Sequence, residues 1–339
     1  MKKLLFLFLP LLFLTGCDSY TELNELGIIN ALGITYQEDS FSLTSSFVNA
    51  KKEEQEVTEE VTTYQSTGSS IEEAFHNLYL QSSKKIYLSH LQLVVLSKEV
   101  ATDKMKDILS FFIQNEESRN NFPVIITDDV SAFLSDSQTV SDCEKLLYIN
   151  QQEYGSISSP TLEDIARQLY ENGVTVVPHI IKKEHLQTDG YIVFRDFKAM
   201  GKLDDTLSNT YLLLHNQIQK MNIPIQCENE TMQLEVKESM TTIQTEKDTI
   251  SIKVTSQLEN METNCDLVAL YQDAIHSKIE DLLQYTKEND VDLMHFTPRF
   301  EKNNPFYFKK QQPKFQNANY KIEISAKLTD HQKLQGGAM

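Results

Sequence analysis

The first 17 residues constrain this chain most, because they predict a segment that is removed before the rest folds. Lys2 and Lys3 precede an apolar run over residues 4–14. The basic pair holds the N-terminus on the cytoplasmic side, and the run is too short to cross a bilayer about 30 Å thick as a stable helix. The sequence therefore predicts a signal peptide over residues 1–16, cleaved between Gly16 and Cys17.

The residue after the predicted cleavage site indicates a lipid anchor. The small residues Thr15 and Gly16 come directly before Cys17, so a peptidase can approach the backbone there. We expect Cys17 to become an N-palmitoyl, S-diacylglycerol cysteine, because more than one acyl chain is needed for durable membrane attachment. An ordinary secretory signal is disfavoured, since no small-x-small cleavage site ends the apolar run.

The composition describes a globular, acidic chain. Its 339 residues are too many for one ordinary domain, and 40% are hydrophobic and 24% charged. After residue 17 no apolar run approaches the length of a transmembrane helix. The net charge of −18 repels nucleic acid and anionic headgroups. Solubility is its plainer interpretation, and a basic partner is the alternative.

Three cysteines follow the predicted lipid site: Cys143, Cys227 and Cys265. They show no C-x-x-C spacing, so the pattern indicates neither a zinc site nor a disulfide scaffold. A bridge between Cys227 and Cys265 is compatible with their positions near two strand-like stretches. Buried free thiols are the favoured state.

Residues 17–188 alternate between helix and strand patterns. A hairpin is predicted over residues 28–49, followed by a solvated charged arm over residues 51–60. Helix starts are predicted from three capping signals: Ser70 with Glu73, Thr102, and Thr161 with Asp164. These patterns are typical of a mixed α/β domain.

Residues 189–339 have a different pattern, in which strands dominate. Strands are predicted at residues 211–215, 231–236, 250–258 and 320–328, with one long helix over residues 266–288. We therefore expect an α+β, multi-domain protein whose N-terminal α/β part meets a C-terminal mixed sheet near residue 188.

The sequence indicates no catalytic, cofactor-binding or metal site. The eight histidines show no H-E-x-x-H spacing, and nucleophile-elbow, P-loop and dinucleotide fingerprints are missing. His90 is interpreted as a hydrogen-bonded structural histidine rather than a catalytic one. The carboxylate pairs at residues 72–73 and 116–117 are interpreted as solvated, as is usual at helix starts and turns.

One basic-aromatic cluster stands out in this acidic chain. Its members are Arg299, Phe300, Lys302, Phe306, Tyr307, Phe308, Lys309 and Lys310. Exposed aromatic patches mark interfaces with a partner or with lipid headgroups. A packed loop with solvated lysines is the alternative, and it is the favoured one.

Several segments together resemble the Ger(x)C spore germination lipoproteins, the C subunits of germinant receptors. They run in order along nearly the whole chain: the lipobox at residues 14–17, the opening at residues 22–34, residues 85–91, residues 190–194 and residues 201–203. The resemblance weakens after residue 288, where relatives carry tryptophans and this chain has none.

The resemblance implies a lipoprotein on the outer face of the spore inner membrane that works with two integral-membrane subunits, A and B. It implies no enzymatic activity, no cofactor and an indirect relation to the small-molecule germinant. It also implies a three-part mixed α/β structure, which would divide one of the two predicted halves.

Two other functions remain as alternatives. A solute-binding lipoprotein would capture a nutrient directly, but the two-lobed, doubly wound pattern of such proteins is missing. A cell-wall hydrolase would need a pair of acid/base carboxylates, and it is disfavoured because no carboxylate pair in the sequence differs from those usual at helix caps.

Overall fold

Two β-sheets with helices packed on them form the protein. The computed structural model describes residues 26–53, 56–82, 84–149, 158–218 and 220–329. Within these ranges one sheet has nine strands and the other has four. The predicted α+β class is confirmed. The predicted signal peptide and Cys17 lie outside the described residues.

The larger sheet has the strand order β3-β2-β1-β5-β6-β7-β8-β9, and β4 pairs with β1. The strands from β1 through β5 and β6 to β7 are parallel, and those at both ends are antiparallel. Its strands are β1 (Leu26–Gln37), β2 (Ser40–Glu53), β3 (Glu56–Gly68), β4 (Lys85–Tyr87), β5 (Leu93–Ser97), β6 (Val124–Thr127), β7 (Val174–Lys182), β8 (Leu186–Arg195) and β9 (Lys198–Leu203).

The smaller sheet has the order β10-β11-β12-β13, and only its β12–β13 pair is parallel. A parallel pair needs a crossover, and this one contains the longest helix of the described residues, α8. The strands are β10 (Met221–Cys227), β11 (Glu230–Glu246), β12 (Thr249–Glu259) and β13 (Asn319–Thr329).

Ten α-helices within the described ranges connect and cover these strands. They are α1 (Ile71–Gln81), α2 (Lys98–Asp103), α3 (Met105–Gln114), α4 (Val130–Leu134), α5 (Ser137–Ile149), α6 (Leu162–Asn172), α7 (Asp205–Leu214), α8 (Leu267–Glu288), α9 (Phe296–Asn303) and α10 (Pro305–Gln311).

The larger sheet separates two hydrophobic cores, because successive side chains of a strand point to opposite faces. In β5, Val94 and Leu96 face the core formed with α1, α2, α3 and α6. Leu93 and Val95 face the other core, which continues through α7 to the smaller sheet and α8. Both faces of the central strands are therefore buried, as parallel sheets require.

Several predicted elements follow directly from local signals. The Ser70 side chain accepts the Glu73 N–H at the start of α1. Thr161 and Asp164 form a capping box at α6, and Gly173 ends that helix at φ 71°. The predicted long helix and last strand are confirmed as α8 and β13.

Three local predictions are wrong. Residues 51–60, predicted as a charged arm, belong largely to the paired strands β2 and β3. Residues 211–215, predicted as a strand, contain the end of α7, since tertiary packing buries both sides of this apolar run. Thr102 lies inside α2, where its Oγ1 bonds to the Lys98 carbonyl, and Ser97 is the N-cap instead.

Residue 188 lies inside β8, whose neighbours β7 and β9 both belong to the larger sheet. Arg195 of β8 donates to the carbonyl oxygens of Asn289 and Asp290 just after α8, at 3.2 and 2.9 Å. The predicted division of the mature chain into residues 17–188 and 189–339 stays a prediction about folding units.

Candidate functional site

One buried histidine and its charged partners form a polar cluster between strands of the larger sheet. His179 lies in β7, and its side chain is only 1% exposed. Its Nε2 lies 3.0 Å from Asp128 Oδ1, and its Nδ1 lies 3.0 Å from Asp189 Oδ2. Lys98 Nζ lies 2.6 Å from Asp128, and Lys202 Nζ lies 2.6 Å from Asp189. These contacts therefore link residues that lie in, or directly after, the five neighbouring strands β5 to β9.

The strand arrangement explains how this network forms. Asp128 follows β6, and Lys98 follows β5, so both lie at the carboxyl edge of the parallel strands. Among the described residues, His179 and Ile126 are the one pair of bridge partners between β6 and β7. The network thus supports a junction that has little backbone pairing of its own.

Each carboxylate of the network is held in its charged form. The Lys98 hydrogen bond, with a further contribution from His179, keeps the pKa of Asp128 below its usual value. Lys202 does the same for the pKa of Asp189. Because both carboxylates already have lysine partners, the cluster is an ion network rather than an acid/base pair. His179 Nδ1 lies close to Asp189 but makes no well-aligned hydrogen bond. We assign it a structural role.

Two further histidines lie where α7 meets the segment before α9. The rings of His215 and His295 are 6.0 Å apart, and His215 Nε2 lies 3.0 Å from the Leu293 carbonyl oxygen. Burial lowers the pKa of each imidazole to about 4, and the Arg299 charge adds to the effect. Both rings are therefore neutral at pH 7.

Sequence reasoning missed all three histidines, of which His179 is buried and His215 and His295 are partly buried. For His179 the available signal was its position inside the apolar strand Val174–Lys182. The histidine that was singled out, His90, is exposed on a turn after β4, with its ring 5.7 Å from that of Tyr87. The sequence predicts a hydrogen-bonded structural histidine at this position, but the His90 side chain makes no hydrogen bond to any residue that the structure describes.

The predicted carboxylate pairs are solvated, as expected. Glu72 and Glu73 are exposed in the first turn of α1, where Glu73 accepts the Ser69 N–H at 2.8 Å. Glu117 lies 3.8 Å from Lys85 on the surface. Among the described residues, no group of three or more histidine, cysteine, aspartate or glutamate side chains could hold a metal ion.

The cysteines differ from the expectation in one respect. Cys227 and Cys265 form a disulfide across 38 residues, so the favoured free-thiol state is wrong for this pair. The two residues are brought together because the segment before α8 returns to the end of β10. Cys143 is a buried free thiol, as predicted, and burial raises its pKa to about 12.

The basic-aromatic cluster is divided by the fold. Phe300 is fully buried, and Phe308 packs partly against the core. Phe306, in contrast, is 90% exposed. Lys302, Lys309 and Lys310 are exposed around it. The cluster is thus a packed segment that presents one aromatic side chain and several lysines to solvent.

No helix in the described ranges has both the length and the apolar content to cross a membrane. That observation concerns only the parts of the chain from residue 26 onward that the structure describes.

Comparisons with known proteins agree with this architecture. The family model for the spore germination protein N-terminal domain matches residues 19–182, and the model described as spore germination B3/GerAC like, C-terminal, matches residues 189–332. Between them they match most of the chain.

Two individual proteins are similar to the chain. Spore germination protein KC of Bacillus subtilis (strain 168) is 23% identical over 214 residues, which are 58% of this chain and 50% of that protein. The crystal structure of the GerBC protein matches with a TM-score of 0.58 and 15% identity, over 88% of this chain and 96% of that one. The second comparison shows a shared fold. On the strength of both family models and the shared fold, the chain belongs to the Ger(x)C family of spore germination proteins.

Proposed function

We propose that this protein is the lipid-anchored, non-catalytic C subunit of a spore germinant receptor, needed for nutrient-triggered germination. Family membership carries the proposal, since the two matching family models follow each other along residues 19–332. The sequence supplies the anchor: an apolar signal segment that ends at Gly16 and Cys17. Its role would be to assemble or gate the receptor.

The proposed location is the outer face of the spore inner membrane. The disulfide between Cys227 and Cys265 supports this side of the membrane, because disulfides persist in oxidising compartments and are rare in the cytosol. A lipoprotein signal leads to the same side.

The proposed partners are the integral-membrane A and B subunits, and contact with the germinant is indirect. The buried titratable groups support a non-catalytic role. His179 is held between two carboxylates that have lysine partners, and His215 and His295 are neutral and packed. None of these groups is placed as a base beside a nucleophile.

Membrane fractionation of spores tests the proposal. Cys17→Ala is expected to release the protein from the membrane fraction and to cripple nutrient germination. Cys143→Ala is the matched control, because it removes another thiol that has no part in anchoring. Two polytopic proteins should co-purify with the wild type in detergent. Normal germination by a released Cys17→Ala protein would contradict the proposal.

Calorimetry separates the proposal from a solute-binding lipoprotein. The full-length protein in detergent is titrated with amino acids and sugars. A C subunit that meets the germinant only indirectly gives no saturable heat. A saturable heat would support direct capture of the nutrient instead.

A further inference from the structure

The exposed part of the basic-aromatic cluster forms a distinct surface. We name it the lysine-aromatic patch: Phe306 together with Lys302, Lys309, Lys310 and Lys314, all exposed. Phe306 is 90% exposed, more than any other large hydrophobic side chain in the described part of the chain. Large aromatic side chains seldom remain this exposed without an interaction to make.

The fold holds Phe306 outward. Asn303 Nδ2 donates to Thr245 Oγ1 at 3.0 Å, and Asn304 Nδ2 donates to the Thr245 carbonyl oxygen at 3.3 Å, which ties the start of α10 to β11. Phe308 packs partly against the core. Residues two apart on a helix are separated by about 200° around its axis, so packing Phe308 inward points Phe306 away from the protein.

The charge of the patch opposes that of the whole protein. Within the described part of the chain, none of its four lysine ammonium groups has a carboxylate oxygen within 4.0 Å. Glu301 is the one acidic residue between residues 299 and 314. A chain with a net charge of −18 therefore carries a local cationic surface around an exposed aromatic ring.

We propose that the lysine-aromatic patch docks on the anionic headgroups of the membrane that holds the lipid anchor, and so fixes how the protein is oriented on that membrane. This inference rests on the proposed function, because the anchor at Cys17 supplies the membrane. Lysines attract anionic lipid headgroups, and an aromatic ring is favoured at the membrane–water interface.

The observations favour a lipid surface over an acidic protein surface. Residues 18–25 separate Cys17 from β1 and span at most about 30 Å, so the anchor keeps the folded protein at a high effective concentration near headgroups. Phe306 also projects singly from α10, whereas protein-binding hot spots are clustered and surrounded by other contacts.

The chain contains no tryptophan, which gives a direct test. Phe306→Trp places a single fluorescent probe in the patch. The lipidated full-length variant is reconstituted into phosphatidylcholine vesicles with or without phosphatidylglycerol, each containing brominated lipid as a quencher. Leu80→Trp, at a side chain that is 67% exposed on α1, is the matched control. We expect quenching at residue 306 only in the anionic vesicles, and none at residue 80.

Neutralising the lysines tests the role of charge. In the Phe306→Trp background, Lys309→Gln and Lys310→Gln should each lower the docked-to-free ratio roughly fivefold, which is about 1 kcal/mol per lysine. Unchanged quenching in the double variant, or equal quenching in neutral vesicles, would overturn the proposal.

Flotation of the same vesicles reports the anchor separately. If the protein floats but the introduced tryptophan stays unquenched, the patch inference fails and the proposed function stands. If the protein does not float, the anchor fails, and quenching on added anionic vesicles still decides the inference. Shielding of the tryptophan only when the A and B subunits co-purify would identify the patch as a protein interface and overturn the proposal.

Discussion

Gly190 and Leu203 lie so close together that a Cβ on Gly190 would be 1.9 Å from the Leu203 carbonyl oxygen. Gly190 also has a φ of 73°, which side chains rarely adopt. Gly190 is the first residue of the buried stretch of β8, next to Tyr191, which pairs with Leu203 of β9. Only glycine fits both demands.

Gly190→Ala is therefore expected to destabilise the protein by about 3 kcal/mol, because the backbone of β9 has to move. Urea unfolding followed by circular dichroism measures the change. Gly173→Asn is the control, since Gly173 has a similar φ but more space, and asparagine tolerates that conformation at a helix end. Equal losses in the two variants would argue against the close approach to Leu203.

His179→Leu should lower the free energy of unfolding by about 2 kcal/mol, since hydrogen bonds to charged groups contribute more than neutral ones. The estimate is modest because Asp128 and Asp189 are partly exposed and keep their lysines. His185→Leu, at an exposed position between β7 and β8, should change stability by less than about 0.5 kcal/mol. A silent His179→Leu variant would show that the network does not support the β6–β7 junction.

The protein should lose stability as the pH falls from about 6.5 towards 4. His215 and His295 have a pKa near 4 in the folded protein, against a usual value of 6.5, so the unfolded chain binds protons first. Each histidine then costs about 2 kcal/mol at pH 5, and its contribution is fully present above pH 6.5. Asp128 and Asp189 have lowered pKa values, so their contribution to stability is lost only when the pH falls below their usual pKa of 3.8.

His295→Asn isolates this effect. Asparagine accepts the φ of 52° at this position and does not titrate. The loss of unfolding free energy between pH 7 and pH 5 should be about 2 kcal/mol smaller in the variant. Burial raises the pKa of the neighbouring Asp292, so protonation of Asp292 stabilises the folded protein as the pH falls and opposes the effect of the histidines. Because Asp292 is present in both proteins, the difference in pH dependence between the wild type and His295→Asn is the decisive quantity. An identical pH dependence would mean that His295 has the same pKa in the folded and the unfolded protein.

Reduction of the Cys227–Cys265 disulfide should cost about 4 kcal/mol, the chain-entropy value for a closed loop of 38 residues. Thermal unfolding with and without dithiothreitol measures it. The double variant Cys227→Ser, Cys265→Ser should have the stability of the reduced wild type, and the reductant should not change it.

Cys143 should react with a thiol reagent only after unfolding, because it is buried. Cys17 is left out of the thiol count because its sulfur carries the lipid. Three reactive thiols in the denatured, unreduced wild type would then refute the bridge.

Local signals in the sequence determined the elements whose stability is mostly local. The caps at Ser70 and Thr161, the apolar stripe of α8 and the alternation of β13 all depend on contacts within one or two turns or one strand face. These elements form where the sequence predicts them. The resemblance to the Ger(x)C family came from ordered segments along nearly the whole chain, although it weakens after residue 288, and the family is confirmed.

Tertiary structure alone decided the features that join distant residues. Residues 211–214 have an apolar pattern that suits a strand, yet they form a helix, and all four side chains are buried in the core that joins the larger sheet to the smaller one. Cys227 meets Cys265 only once β10, β11 and β12 have paired. His179 lies in an apolar run in the sequence, and its charged partners come from β6 and β8. Periodicity reports which face of an element is buried, but not which other element covers it, and that choice is made by packing over long sequence distances.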